Sequence, residues 1–130
     1  MASNPEYVLD ASAVIAAMFR EFGHERVRSV QTRSVIGAVN AAEVILKLVE
    51  FGATWEEAKR QLELLPIEVV PFDAAILPGI LDGPPKKSGL SLADRACLAT
   101  ARNLKLTALT GDRKWMPFAS DEIKIALIRP

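Results

Sequence analysis

Apolar residues along this chain recur at two different spacings. Tyr7–Leu9, Ser34–Gly37, Ile67–Val70, Leu106–Leu109 and Ile123–Ile128 are short apolar or β-branched runs that predict strands. Between them the apolar positions fall three and four apart. Ala11–Phe19 predicts a helix closed by a turn at Gly23, and His24–Val30 a short second one. Asn40 opens the most regular segment: Ala41, Val44, Ile45, Leu48 and Val49 share one helical face, and Gly52 stops it. Thr54-Trp-Glu-Glu57 has the form of a capping box and predicts a helix to about Leu65, ended by Pro66. Phe72-Asp73 opens a further helix. Asp82–Gly89, with Gly83, Pro84, Pro85 and Gly89, is the clearest loop, and Ser91–Arg102 returns to helical spacing. Strands alternating with helices predict an α/β fold with a mainly parallel sheet, as a single domain over residues 1–130 without a linker.

Composition agrees with that picture. Half of the 130 residues are hydrophobic, enough for a real core, so disorder is expected only at the first few residues. The longest apolar runs are too short to cross a bilayer, and Met1–Pro5 lacks the basic start of a signal peptide. Cys97 is the single cysteine, which rules out an internal disulfide and fits a reducing cytoplasm. Net charge is zero, so the whole molecule is no general polyanion binder. From Lys86 onward, however, nine Lys/Arg face four Asp/Glu, which favours local phosphate contacts in that third.

Four carboxylates carry the candidate chemistry. Asp10 ends the first predicted strand, and Asp112 follows the strand that closes with Leu109-Thr110-Gly111. Glu43 and Asp94 fall in the first turns of the Asn40 and Ser91 helices. Taken singly, each has a structural explanation. Asp10 can N-cap the first helix, Asn40-Ala-Ala-Glu43 and Ser91-Leu-Ala-Asp94 resemble capping boxes, and Asp112 suits a turn. Taken together, all four fall at the carboxyl edge of a parallel sheet, where ligand crevices form. Two carboxylates about 5 Å apart repel by roughly 3 kcal/mol at an effective dielectric near 20. Caps do not offset several such pairs, so the cluster makes sense as a cation site, and an all-oxygen set suits Mg²⁺ or Mn²⁺ rather than zinc. His24 and Cys97 stand without partners, His24 as a surface helix residue and Cys97 as core.

The motifs Tyr-Val-Leu-Asp10-Ala-Ser12-Ala, Val39-Asn40-Ala-Ala-Glu43-Val, Gly89-Leu-Ser-Leu-Ala-Asp94-Arg-Ala-Cys-Leu-Ala and Leu109-Thr110-Gly111-Asp112-Arg-Lys-Trp115 occur in the order and spacing of PIN-domain ribonucleases. The chain resembles that family, and its third motif closely resembles the VapC toxins of VapBC toxin–antitoxin pairs. The resemblance implies a central parallel sheet with helices on both faces. It also implies a site in which Asp10, Glu43, Asp94 and Asp112 bind Mg²⁺ or Mn²⁺ for hydrolysis of RNA. Dimerisation and inhibition by a VapB-like antitoxin follow from it too. Ser12, Asn40 and Thr110 are placed to orient carboxylates or water, and Arg95, Arg113 and Lys114 to meet RNA phosphates. Lys86 and Lys87 read as a solvated loop.

Three other functions share these residues: a PIN nuclease that processes RNA without an antitoxin, an acidic-site phosphatase or receiver-type domain, and a binding module without catalysis. With His24 outside every acidic motif, hydrolysis by activated water is expected rather than attack by a 2′-hydroxyl. Phe51, Trp55, Leu62, Leu64 and Leu65 are expected to leave an apolar groove for a partner.

Overall fold

The computed structural model describes residues 4–130, so the disorder expected at the chain's start falls largely outside the described residues. Five strands form one sheet: β1 (Tyr7–Leu9), β2 (Ser34–Gly37), β3 (Glu68–Val70), β4 (Thr107–Thr110) and β5 (Lys124–Leu127). Their order is β3-β2-β1-β4-β5, and every neighbouring pair is parallel. The chain thus builds outward from β1 to β3 and then restarts on the other side of β1 with β4. The crevice between the ends of β1 and β4 is the topological switch point, the place where open α/β sheets hold ligands.

Strand alternation divides the core. Tyr7, Leu9, Ile36 and Leu109 point to one face, where they pack with Val14, Val27, Val44 and Leu62. These come from the helices α1 (Ala11–Phe19), α2 (His24–Val30), α3 (Ala38–Glu50) and α4 (Trp55–Glu63). Val8, Val35 and Ala108 point to the other face, against Leu90, Cys97, Leu98, Ala101 and the fully buried Trp115. The helix of that face is α6 (Leu92–Leu104), preceded by the short α5 (Leu77–Leu81). Helices therefore cover both faces, as the period-two pattern of buried strand residues requires.

The structure moves several expected boundaries. α3 begins at Ala38 because β2 runs straight into it, with the extended Gly37 as N-cap. Asn40 is therefore inside the helix and Glu43 in its second turn, and the expected Asn40…Glu43 capping box does not form. The boxes at Thr54…Glu57 and Ser91…Asp94 both do, and Asp10 caps α1 by accepting from the Ala13 amide. After Phe72 the predicted helix shrinks to a 3₁₀ turn, Ala74–Ile76, capped by Asp73 and running into the five-residue α5. Pro78, Gly79 and Gly83 leave little room for a longer one. Gly23 has φ +94°, and a Cβ there would stand 2.6 Å from the Ile128 carbonyl oxygen, so only glycine fits this turn. Among the described residues no helix is long and apolar enough to cross a membrane.

Candidate active site

Asp10 is the centre of a hydrogen-bond hub that joins the ends of β1 and β4. Its Oδ1 accepts from the Ala13 amide at 2.9 Å and from Ser12 Oγ at 2.8 Å. Its Oδ2 accepts from Thr110 Oγ1 at 2.7 Å. Ser12 Oγ in turn accepts from the Gly111 amide, and Thr110 Oγ1 from the Asp112 amide. The two hydroxyls thus fix the Asp10 carboxylate and the backbone that carries Asp112. Burial of Trp115 one turn later anchors the same segment from below.

Glu43, Asp94 and Asp112 line the same cavity of about 360 Å³ as Asp10 and Ser12. Asn40, buried between α3 and α6, donates through Nδ2 to Glu43 Oε1 at 3.2 Å and to the Ala93 carbonyl at 3.1 Å. That ties Glu43 to the helix bearing Asp94. Asp94 Oδ2 accepts from the Ser91 amide at 3.0 Å, and Asp112 Oδ1 from the Lys114 amide at 2.9 Å. The structural and the clustered readings of the acids therefore coexist: Asp10, Asp94 and Asp112 serve as caps and turn residues, and all four still meet at one cavity.

Electrostatics reflect that convergence. Burial pushes the Asp10 carboxyl up to about 6. Its hydrogen bonds from Thr110, Ala13 and Ser12 oppose the rise, and the Asp94 charge adds to it. Glu43 is also raised, first by burial and then by Asp94, against the pull of Asn40 and Lys47. Cys97 lies in the core beneath the cluster. Burial raises its thiol well above the ordinary range, helped by the charges of Asp10, Asp94 and Glu43, so it remains a protonated core residue. Among the described residues no three Asp, Glu, His or Cys side chains already stand close enough to grip a metal ion. The four acids nonetheless offer only hard, anionic oxygen donors.

Other residues singled out in the sequence settle elsewhere. Arg95 turns its guanidinium to the carbonyls of Pro84 and Pro85 and to Ser88 Oγ, and staples the loop before α6. It is not among the residues lining the acid cavity, contrary to its expected phosphate role. Arg113 and Lys114 are exposed next to Asp112, and Lys86 and Lys87 are solvated on their loop. His24 is half-buried rather than a surface residue and pairs with Glu25 at 2.8 Å, away from the cavity. Sequence reasoning missed Glu21, Lys47 and Phe51, which also line the cavity. Lys47 and Phe51 follow Glu43 by four and eight positions, one helical face, and that spacing was available as a signal. Arg129, held by the Phe22 carbonyl at 2.8 Å, packs against Gly111 just past β4, its Nη2 2.7 Å from where a Cβ on Gly111 would stand.

Residues 7–119 match the family model for the PIN domain. No curated protein matches significantly in sequence. In fold, the chain is similar to a chain of VapBC2 from Rickettsia felis bound to a DNA fragment from its promoter, with a TM-score of 0.73 at 14% identity, covering 93% of this chain and 97% of that one. DNA-bound VapBC from Salmonella typhimurium gives a TM-score of 0.74 at 17% identity, covering 95% and 98%. VapBC-1 from nontypeable Haemophilus influenzae gives 0.69 at 22% identity, covering 94% and 97%.

Proposed function

This chain belongs to the PIN-domain family, and on that premise we propose that it is a Mg²⁺- or Mn²⁺-dependent endoribonuclease, the toxin of a VapBC-type pair acting in the cytoplasm. One observation carries the reading: four carboxylates from four separate stretches of chain line one cavity at the sheet's switch point. Asp10, Glu43, Asp94 and Asp112 would hold the cation, for which their all-oxygen donor set is suited. The bound cation supplies activation of water and neutralisation of charge growing on the phosphoryl oxygens. Ser12 and Thr110 keep Asp10 fixed, so one carboxylate is preorganised. Asn40 holds Glu43 through Oε1. Arg113 and Lys114, exposed beside Asp112, are placed to meet phosphates of the substrate.

Water attack in line with the leaving oxygen yields a 5′-phosphate and a 3′-hydroxyl, without help from the neighbouring 2′-hydroxyl. An RNA carrying a single 2′-deoxy sugar at its cut site is therefore expected to be cleaved at a rate close to that of the parent RNA. EDTA should abolish the reaction, excess Mg²⁺ or Mn²⁺ restore it, and His24→Ala leave it intact. Mass spectrometry of the fragments decides: 2′,3′-cyclic phosphate ends, or full activity in EDTA, would rule the mechanism out.

The antitoxin site is assigned to an apolar groove of about 520 Å³ between α3, α4 and the edge strand β3, floored by Ala41, Ile45, Leu62 and Ile67. This revises the groove expected from sequence. Leu62 is buried in its floor, whereas Phe51 belongs to the acid cavity and Trp55 and Leu64 stand exposed. An open sheet edge beside an apolar trough suits a helix or strand supplied by a small partner, and the exposed apolar side chains support a homodimer. Ile45→Glu is expected to prevent copurification with the product of a neighbouring small reading frame while nuclease activity persists. Undiminished copurification would move the partner site elsewhere.

A further inference from the structure

We propose that Phe51 is a stacking platform for one unpaired nucleobase of the substrate, with Lys47 beside it to meet the adjoining phosphate. The inference rests on the nuclease reading above and names the side chains of this chain that would hold one base and its phosphate. Glu43, Lys47 and Phe51 lie on one face of α3 and all three line the acid cavity. Phe51 ends the helix and is 60% exposed, an unusual setting for a large aromatic ring at the mouth of a highly acidic cleft. Phe19, also exposed, meets it edge to face, with centroids 5.4 Å apart and planes at 83°. That contact braces the Phe51 ring without enclosing it. Gly52, the next residue, has φ +108° and open space where a side chain would stand, so the chain turns away there without adding a wall.

Lys47 supplies the charge. Its Nζ stands over the Phe51 ring, 5.9 Å from the centroid, and 3.6 Å from Glu50; both are weak surface contacts, so a stacking base can displace the ammonium from the ring toward its own phosphate. The cavity is lined by five carboxylates, Asp10, Glu21, Glu43, Asp94 and Asp112, and this single ammonium. A polyanion entering such a cleft needs a neutral foothold outside the acids. A flat base on an exposed ring provides it, and a cation next to the ring holds the phosphate that links base to cleft. Duplex RNA keeps its bases stacked on one another and offers the ring no free face.

The test is binding of a fluorescein-labelled single-stranded RNA of roughly 12 nucleotides, a length within ordinary single-strand site sizes. It uses the Asp94→Asn chain in Mg²⁺, so that the strand stays uncut. Phe51→Ala and Phe51→Leu are each expected to weaken binding about ten-fold or more, and Phe51→Trp to keep it within about three-fold. Lys47→Gln should flatten the salt dependence. Binding of a duplex of the same length should not change in any Phe51 variant. Unaltered binding by Phe51→Ala, or Phe51→Leu binding as well as Phe51→Trp, overturns the platform. Loss of a copurifying protein partner with RNA binding intact also overturns it, and gives the ring to that partner. If the parent chain cuts RNA while the Phe51 variants bind normally, only the platform falls. If the parent neither binds nor cuts RNA, the nuclease reading falls with it.

Discussion

Asp94→Asn is expected to reduce metal-dependent RNA cleavage by about 10³-fold or more, the size of effect that follows from losing several kcal/mol of charge stabilisation at the reacting phosphate. The same substitution is expected to leave the metal-free protein as stable as before, or slightly more so. The Ser91 amide donates to Asp94 Oδ2, and an asparagine carbonyl oxygen can accept that bond. The reciprocal bond, from the Asp94 amide to Ser91 Oγ, involves backbone and is untouched. Meanwhile the charge that raises both Asp10 and Glu43 disappears. A residue whose whole purpose was capping would behave differently: activity retained, with only the favourable charge in the first helical turn lost, about 0.3–1 kcal/mol of stability. Cleavage rate and urea midpoint measured on one variant separate the two cases, and retained cleavage would remove Asp94 from the site.

The sequence showed the acids more clearly than their surroundings. Asp10 and Asp112 could be placed because each directly follows an apolar run, and a parallel sheet puts all such ends on one edge. Glu43 was placed one turn too early. The end of β2 at Gly37 was legible, but nothing in Ala38–Asn40 marks a helix start, because Gly37 serves as both last strand residue and N-cap and no loop separates the two elements. Lys47 and Phe51 were available from helical spacing but were overshadowed by the apolar stripe that gives α3 its buried side. Glu21 carried no signal at all. It reaches the cavity through the tight turn between α1 and α2, whose path depends on the close approach of Gly23 to Ile128. Arg95 illustrates a competing demand. The Pro84-Pro85 segment has no amides of its own to donate, and its carbonyls draw the guanidinium away from the cleft. The apolar groove was expected from Phe51 at the end of one helix and Trp55, Leu62, Leu64 and Leu65 of the next. Its actual walls come from α3, α4 and β3, a combination set by tertiary packing rather than by any one helix pattern.

Asp10 also makes the metal-free protein lose stability as pH rises. Its carboxyl titrates near 3.8 when exposed and is raised to about 6 in the fold, so between these values the native state holds a proton that the unfolded chain has released. Stability follows the difference in bound protons, and here it falls with increasing pH until Asp10 is fully ionised in both states. A shift of this size corresponds to about 3 kcal/mol, present below about pH 4 and gone above about pH 7. Glu43 is shifted in the same direction and adds to the trend. Other carboxylates contribute slopes of their own, so the informative quantity is the difference between the parent and Asp10→Asn. In EDTA, urea unfolding from pH 4 to pH 8 is expected to show the asparagine variant gaining on the parent by about 3 kcal/mol across that range. Mg²⁺ should reverse the trend for the parent alone, because a cation favours the ionised carboxylate that burial disfavours. A difference that stays flat with pH would mean that Asp10 ionises as a solvated acid does, and the hub around it would then be an ordinary helix cap.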